Sequence, residues 1–299
     1  MFWEKYFGKM TRGKSCRNEY SGKMTRGKFC RNEYIQEVNM TEQIFMEVKD
    51  NIATIFINRP EKRNALSFEM WESLNEYVEH CHEDRAVKVI VFRSTTEEAF
   101  SAGADISEFR TRRSTAEEII TYSKVMADLE EKIAKGPKPV IAMIQGFCVG
   151  GGCELAVACD FRFSDSTGKF AITPAKLGII YNTKATKHLV DLVGQANAKD
   201  ILYTGRIFNT EEALRMGLID RIYEPDQLEK ETYAYAKMIC ENSQMTVRGA
   251  KKIINHVLHG GEDDNDEILQ EILESVTSED YKEGVDAFLS KRKAKFTYS

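Results

Sequence analysis

Residues 144–160 read IQGFCVGGGCELAVACD. An apolar, β-branched run, Val140–Ile144, leads into three consecutive glycines, and two residues later comes a single ionisable side chain, Glu154. Such a run is the mark of a strand covered on both faces. Glycines at a helix start let a ligand approach backbone N–H groups that have no intrahelical partner. They do not form a nucleotide loop, because Leu155 falls where GxGxxG needs its last glycine and no GK[ST] follows. If the helix begins near Gly151, Glu154 lies in its first turn among Cys, Leu, Ala and Val. Burial raises a carboxyl pKa and the helix dipole lowers it. A group held between those effects suits general acid/base work, as well as simple helix capping.

A second glycine-containing turn, AFSAGAD (99–105), follows another apolar strand, Val87–Arg93. In open α/β sheets, ligands bind in the loops beyond strand carboxyl ends. An N–H from the Ala102–Asp105 turn and one from the glycine trio would make a two-donor oxyanion hole. Tight helix–strand packing would explain the same glycines.

Around these turns the chain alternates strand and helix. Ile44–Val48 and Ile52–Ile57 read as half-buried strands joined at Asp50-Asn51. Pro60 breaks regular structure. Ser67 caps a helix to about His82 with Phe68, Trp71, Leu74 and Val78 at helical spacing. A second helix spans about Ala116–Ala134. After residue 184 the chain is mainly helical, with a capping box at Asn209–Glu212 and one late strand, Leu218–Tyr223. These elements predict a single α/β domain over 40–299, with a core to about 225 and a helical portion over 226–299.

The first 39 residues differ. GKMTRGKSCRNEY (8–20) recurs as GKMTRGKFCRNEY (22–34). Nine Lys/Arg against four Asp/Glu give this segment +5, which leaves −10 on residues 40–299 within a chain total of −5. A two-copy repeat this short cannot build a solenoid. It reads as a disordered extension or non-native upstream sequence, with a transit peptide or a nucleic-acid-binding arm as alternatives. The acidic body argues against nucleic acid as a partner. At 42% apolar and 30% charged residues, the composition is that of a soluble globular protein. Its apolar runs are too short to span a bilayer. Seven cysteines without a CxxC pair fit a reducing compartment. His80-Cys81-His82 lacks a second ligand cluster, so no metal is expected. A thiol hydrolase built from Cys148 or Cys153 with His188 is disfavoured, since nothing places that histidine beside a thiol.

Four motifs in order, NRPEKRNALS (58–67), AFSAGADISEF (99–109), GFCVGGGCELAVACDFRF (146–163) and EGVDAFLSKRKAKF (283–296), resemble the crotonase, or enoyl-CoA hydratase/isomerase, superfamily. The resemblance runs from about Met40 to the C-terminus. It implies a crotonase-like fold of repeated ββα units and an acyl-CoA substrate, with no cofactor beyond the coenzyme A that the substrate carries. It also implies a homotrimer or homohexamer. Cysteine usage points to the cytoplasm, or to an organelle matrix if residues 1–39 are a transit peptide, and run length and charge point to no membrane or nucleic-acid partner.

Carried over by motif, Ala104 and Gly151 supply the oxyanion-hole N–H groups and Glu154 is the acid/base. Arg63, Asn64, Ala65 and Leu66, with Ala102, Asp105 and Ile106, border the CoA site, and Phe288 and Lys291 complete it, often from a neighbouring subunit. Family hydratases carry a second glutamate after a proline about twenty residues on; here FAITPAKLGIIYN (170–182) places Ala175 there. This segment resembles the methylmalonyl-CoA decarboxylase branch, which has a histidine where this chain has Ala104. That likeness implies that Tyr181 orients the substrate. The expected activity is lyase chemistry, by decarboxylation or hydration, with single-base double-bond isomerisation by Glu154 as the alternative. A non-catalytic or RNA-binding homologue is the reading from another class. The acyl group is set by segments such as 107–125, which the motifs do not cover.

Overall fold

The structure, a computed structural model, describes residues 42–297. The N-terminal repeat of residues 1–39 lies outside the described residues. Ten strands run β1 Ile44–Lys49, β2 Ile52–Ile57, β3 Val89–Ser94, β4 Ala99–Ser101, β5 Val140–Ile144, β6 Phe147–Val149, β7 Phe161–Asp165, β8 Lys169–Ala171, β9 Phe208–Asn209 and β10 Arg221–Tyr223. The longer helices are α1 Phe68–Glu83, α2 Ala116–Lys135, α3 Gly151–Ala158, α4 Thr183–Thr204, α5 Thr210–Met216, α6 Leu228–Cys240, α7 Gln244–Leu258, α8 Asp266–Thr277 and α9 Glu279–Leu289.

The strands form two sheets. One has six strands in the order β1-β2-β3-β5-β7-β10, and the other has four, β4-β6-β8-β9. Of the strand pairings only β1 with β2 and β8 with β9, each at one edge of its sheet, are antiparallel. Each unit sends a strand through the large sheet, turns, adds a short strand to the small sheet, and then enters a helix: β3-β4-α2 and β5-β6-α3. This is the repeated ββα pattern that the motifs imply. In the first hairpin, Asp50 (φ 53°) and Asn51 (φ 65°) both adopt left-handed backbone, as the favoured two-residue turn requires.

Strand periodicity divides the core in two. Ile90, Phe92, Val140, Ala142 and Ile144 face α1, α2 and α3, packing with Trp71, Leu74 and Leu129. The alternate residues Val89, Val91, Ile141, Met143 and Phe163 face the other way and meet Leu228, Ala236 and Cys240 of α6. Two covered faces explain the unbroken apolar runs.

Helix starts follow their caps. The Ser67 hydroxyl accepts from the Met70 N–H at 3.3 Å. At α2, Thr115 and Glu118 form a reciprocal capping box. The box expected at Asn209 is only half made: Asn209 accepts from the Glu212 N–H at 3.0 Å, while the Glu212 carboxylate pairs with Arg206 at 2.7 Å. The guanidinium outbids a backbone N–H because both partners carry charge. The late strand begins at Arg221, since Leu218 and Ile219 are buried in the turn before it.

One buried lysine ties the C-terminal helices to the sheet. Lys251 of α7 donates to the carbonyls of Ile133 (2.8 Å) and Lys138 (3.0 Å) and to the Asp160 carboxylate (2.7 Å). Asp160 also accepts from the Val140 N–H at 2.7 Å, at the start of β5. Lys251→Met should therefore leave two carbonyls without their donor and the half-buried Asp160 carboxylate with only the Val140 N–H. The expected loss is about 3 kcal/mol, read as a lower urea midpoint. A midpoint within error of the wild type would show that the tie is dispensable.

Candidate active site

The two glycine turns meet where β4 and β6 of the small sheet end. Leu66 donates its N–H to the Gly103 carbonyl at 2.7 Å and accepts from the Asp105 N–H at 2.8 Å. In a parallel pairing of this kind the residue between those two partners, Ala104, turns its own N–H away from the bridge. Gly151 is the first residue of α3, so its N–H has no intrahelical acceptor. Neither N–H donates to a backbone carbonyl among the described residues.

The backbones approach too closely for side chains. A Cβ on Gly103 (φ 97°) would lie 2.9 Å from the Gly151 nitrogen, and one on Gly151 would lie 3.3 Å from the Ala104 nitrogen. Gly150 (φ 54°, ψ −125°) takes a conformation that an L side chain rarely adopts and turns the chain into the helix. Two convergent, unpaired donors can hold a developing oxyanion.

Both donors line a cleft of about 150 Å3, together with Ala102, Ile106, Glu154 and Tyr181. Its remaining wall is largely apolar, from Phe109, Met126, Ile172 and Leu177. The structure thus brings together the predicted oxyanion donors, acid/base and tyrosine. The Glu154 carboxylate is only 8% exposed and accepts a long hydrogen bond, 3.4 Å, from the Asn182 amide. Burial pushes its pKa up. The Tyr181 hydroxyl is buried with no hydrogen-bond partner among the described residues. Burial first, and then the nearby glutamates, push that phenol well above its usual range.

The predicted CoA-site residues divide. The Arg63 carbonyl accepts from the Ala102 N–H at 2.9 Å, so the Arg63–Leu66 loop abuts the cleft. Arg63 itself is exposed and paired with Glu98 at 2.8 Å. Asn64, by contrast, is fully buried: its amide donates to Ser94 (2.7 Å) and the Ala99 carbonyl (2.8 Å), and its carbonyl accepts from the Arg59 N–H (2.7 Å). Its side chain holds the loop and is not presented to a ligand. Leu66 is buried in the core, Ala65 is half-buried, and Asp105 is paired with Arg59 at 2.8 Å behind the turn. Phe288 is not at this cleft within one chain. It lines a separate apolar pocket with Met245, Tyr281 and Phe296, and Lys291 lies in the turn just beyond α9.

The sequence reading missed a second carboxyl group. Ala175 is exposed and does not line the cleft, so no acid enters from that segment. Glu130 of α2 instead brings a buried carboxyl group beside that of Glu154. Glu130 is 2% exposed, and one of its oxygens has no further partner. Burial first, and then the adjacent Glu154 charge, push its pKa well above the carboxylate range. The periodicity carried a signal: Met126, Glu130 and Ile133 fall on one helix face, placing a glutamate in an apolar stripe. Arg113, also at the cleft, was missed because it sits on an irregular segment between two helices.

The chain matches the family model described as enoyl-CoA hydratase/isomerase over residues 47–299. It is 34% identical to a crotonyl-CoA hydratase of Syntrophomonas wolfei over 259 residues, covering 85% of this chain and 98% of the relative. A short-chain-enoyl-CoA hydratase of Clostridium acetobutylicum is 32% identical over 256 residues, covering 84% and 95%. Among solved structures, an enoyl-CoA hydratase/isomerase family protein from Hyphomonas neptunium superposes with a TM-score of 0.84 at 41% identity, covering 87% of this chain and 99% of that one. The chain belongs to the enoyl-CoA hydratase/isomerase family of the crotonase superfamily, whose members act on acyl-CoA thioesters.

Proposed function

We propose that the chain adds water reversibly across the double bond of a short 2-enoyl-CoA thioester. The observation that carries this reading is a single carboxylate, Glu154, facing a cleft that also holds two unpaired backbone N–H groups. The thioester oxygen accepts from the Ala104 and Gly151 N–H groups, which polarises the conjugated double bond. Glu154 takes a proton from water as the water oxygen bonds to Cβ. The electron pair moves onto the thioester oxygen as an enolate, which the two donors stabilise. Glu154 then returns the proton to Cα, so hydroxyl and hydrogen add to the same face. Glu130 touches no substrate; its proton, shared with Glu154, keeps the buried pair at one negative charge. Tyr181 orients the acyl group, and the Arg63–Leu66 loop, with Ala102 and Ile106, borders the CoA moiety. This addition of water needs no metal or redox cofactor. Phe288 and Lys291 would join a CoA site only across a subunit boundary in a trimer or hexamer.

Double-bond isomerisation is the second reading, favoured because no other carboxylate lines the cleft among the described residues. Here Glu154 would carry one proton between Cα and Cγ without water. Incubating the protein with crotonyl-CoA, a 3-enoyl-CoA and a malonyl-type thioester separates the cases by mass. The first reading expects a gain of one water on crotonyl-CoA. A shifted double bond without mass change would replace it with isomerisation, and loss of carbon dioxide with decarboxylation. Glu154→Gln should lower kcat by about 10²–10⁴-fold, the usual contribution of a general acid/base. Turnover near wild type would reduce Glu154 to a cap.

The carboxyl pair also has a thermodynamic signature. Folded Glu130 keeps its proton above the pH at which the unfolded side chain loses it. The folded state then binds more protons, and its stability falls as pH rises through and above the ordinary carboxyl range, by up to about 1.4 kcal/mol per pH unit. In Glu130→Gln this dependence should disappear, leaving the variant relatively more stable at pH 9 than at pH 5 by urea unfolding. Parallel pH profiles for variant and wild type would mean that the pair does not share a proton.

A further inference from the structure

Arg113 is the one arginine lining the cleft among the described residues, and its setting differs from that of nearby arginines. Arg59 pairs with Asp105 and Arg112 with Glu69. Arg113 has no ion pair among the described residues, and its buried Nε lacks any hydrogen-bond partner. Two rings hold it in place: its guanidinium carbon is 4.6 Å from the Phe109 centroid and 4.7 Å from that of Tyr122. Stacking of this kind fixes the plane and immobilises the side chain before any ligand arrives.

A pre-positioned guanidinium in a largely apolar cleft pays a desolvation cost that an anion would offset. The thioester end of the cleft is taken by the Ala104 and Gly151 N–H groups with Glu154 beside them. Glu154 accepts from Asn182 and makes no direct ion pair with Arg113, whose charge acts on it only at longer range, holding its pKa down against burial. A guanidinium presents donors in the fork geometry that a carboxylate fits.

We propose that Arg113 receives a carboxylate at the far end of the acyl group, making dicarboxylic acyl-CoA monothioesters the preferred substrate class. This rests on the acyl-CoA reading above. A phosphate of the CoA moiety offers similar chemistry, and the test distinguishes the two sources.

Calorimetry on the full chain with glutaryl-CoA, butyryl-CoA and free CoA reads binding without turnover. The wild type should bind glutaryl-CoA about 10- to 100-fold more tightly than butyryl-CoA, the range of a charge-assisted hydrogen-bonded pair. Arg113→Gln should lower that ratio at least tenfold, and Arg113→Lys, which keeps the charge but not the fork, should give an intermediate ratio. Equal weakening of both thioesters and of free CoA would assign Arg113 to a phosphate and overturn the proposal. A wild-type ratio near one would overturn it regardless of how the variants fold. If neither thioester binds, the acyl-CoA reading fails as well; if both bind without preference, only this inference does.

Discussion

The site depends on one constraint: two backbone N–H groups from distant parts of the chain must lie side by side with neither bonded to a carbonyl. An unpaired amide in a protein interior is costly, so the surroundings must make any alternative worse. The Leu66 bridge spends the carbonyl before Ala104 and the N–H after it, which fixes the turn while sparing Ala104 itself. At Gly151 the helix supplies the exemption, since its first residue has no acceptor four residues back. Trp71 closes the floor: a Cβ on Gly151 would come within 3.1 Å of its ring. Side chains are excluded from one side by backbone and from the other by indole, which leaves only the cleft for a third party.

Much of this was legible in the sequence because it is local. Alternation in β1 and β2, the apolar run of β5 and the Ser67 cap each follow from a few neighbouring residues. The glycine trio announced exposed amides because little else requires bare backbone at a helix start. The Asn209 box was misjudged for a physical reason: whether Glu212 bonds back to its cap depends on Arg206, which a helix-start pattern does not weigh.

What remained hidden is what packing assembles. Glu130 and Glu154 are on separate helices, and only the crossing of α2 over α3 puts their carboxyl groups together. Reading along FAITPAKLGIIYN for a second acid found Ala175 and stopped, because a partner from behind leaves no trace in that segment. Asn64 shows the converse, a motif residue whose role packing defines. Its place in a motif put it in a turn bordering the CoA site, and burial gives its amide to three backbone or hydroxyl partners, which makes it a rivet for that turn.

The division of the sheet into two cores has a consequence for how the chain is made. The buried residues of the core around Trp71 and Leu129 are all encoded before residue 220, but the opposite face of the same strands meets its cover only when α6 arrives. Lys251, which secures the end of α2 and the start of β5, is encoded later still. A nascent chain halted near residue 225 would therefore display Val89, Val91, Ile141, Met143 and Phe163 as one bare apolar surface. The C-terminal helices are the second wall of the sheet, so synthesis must pass Lys251 before the site can become rigid.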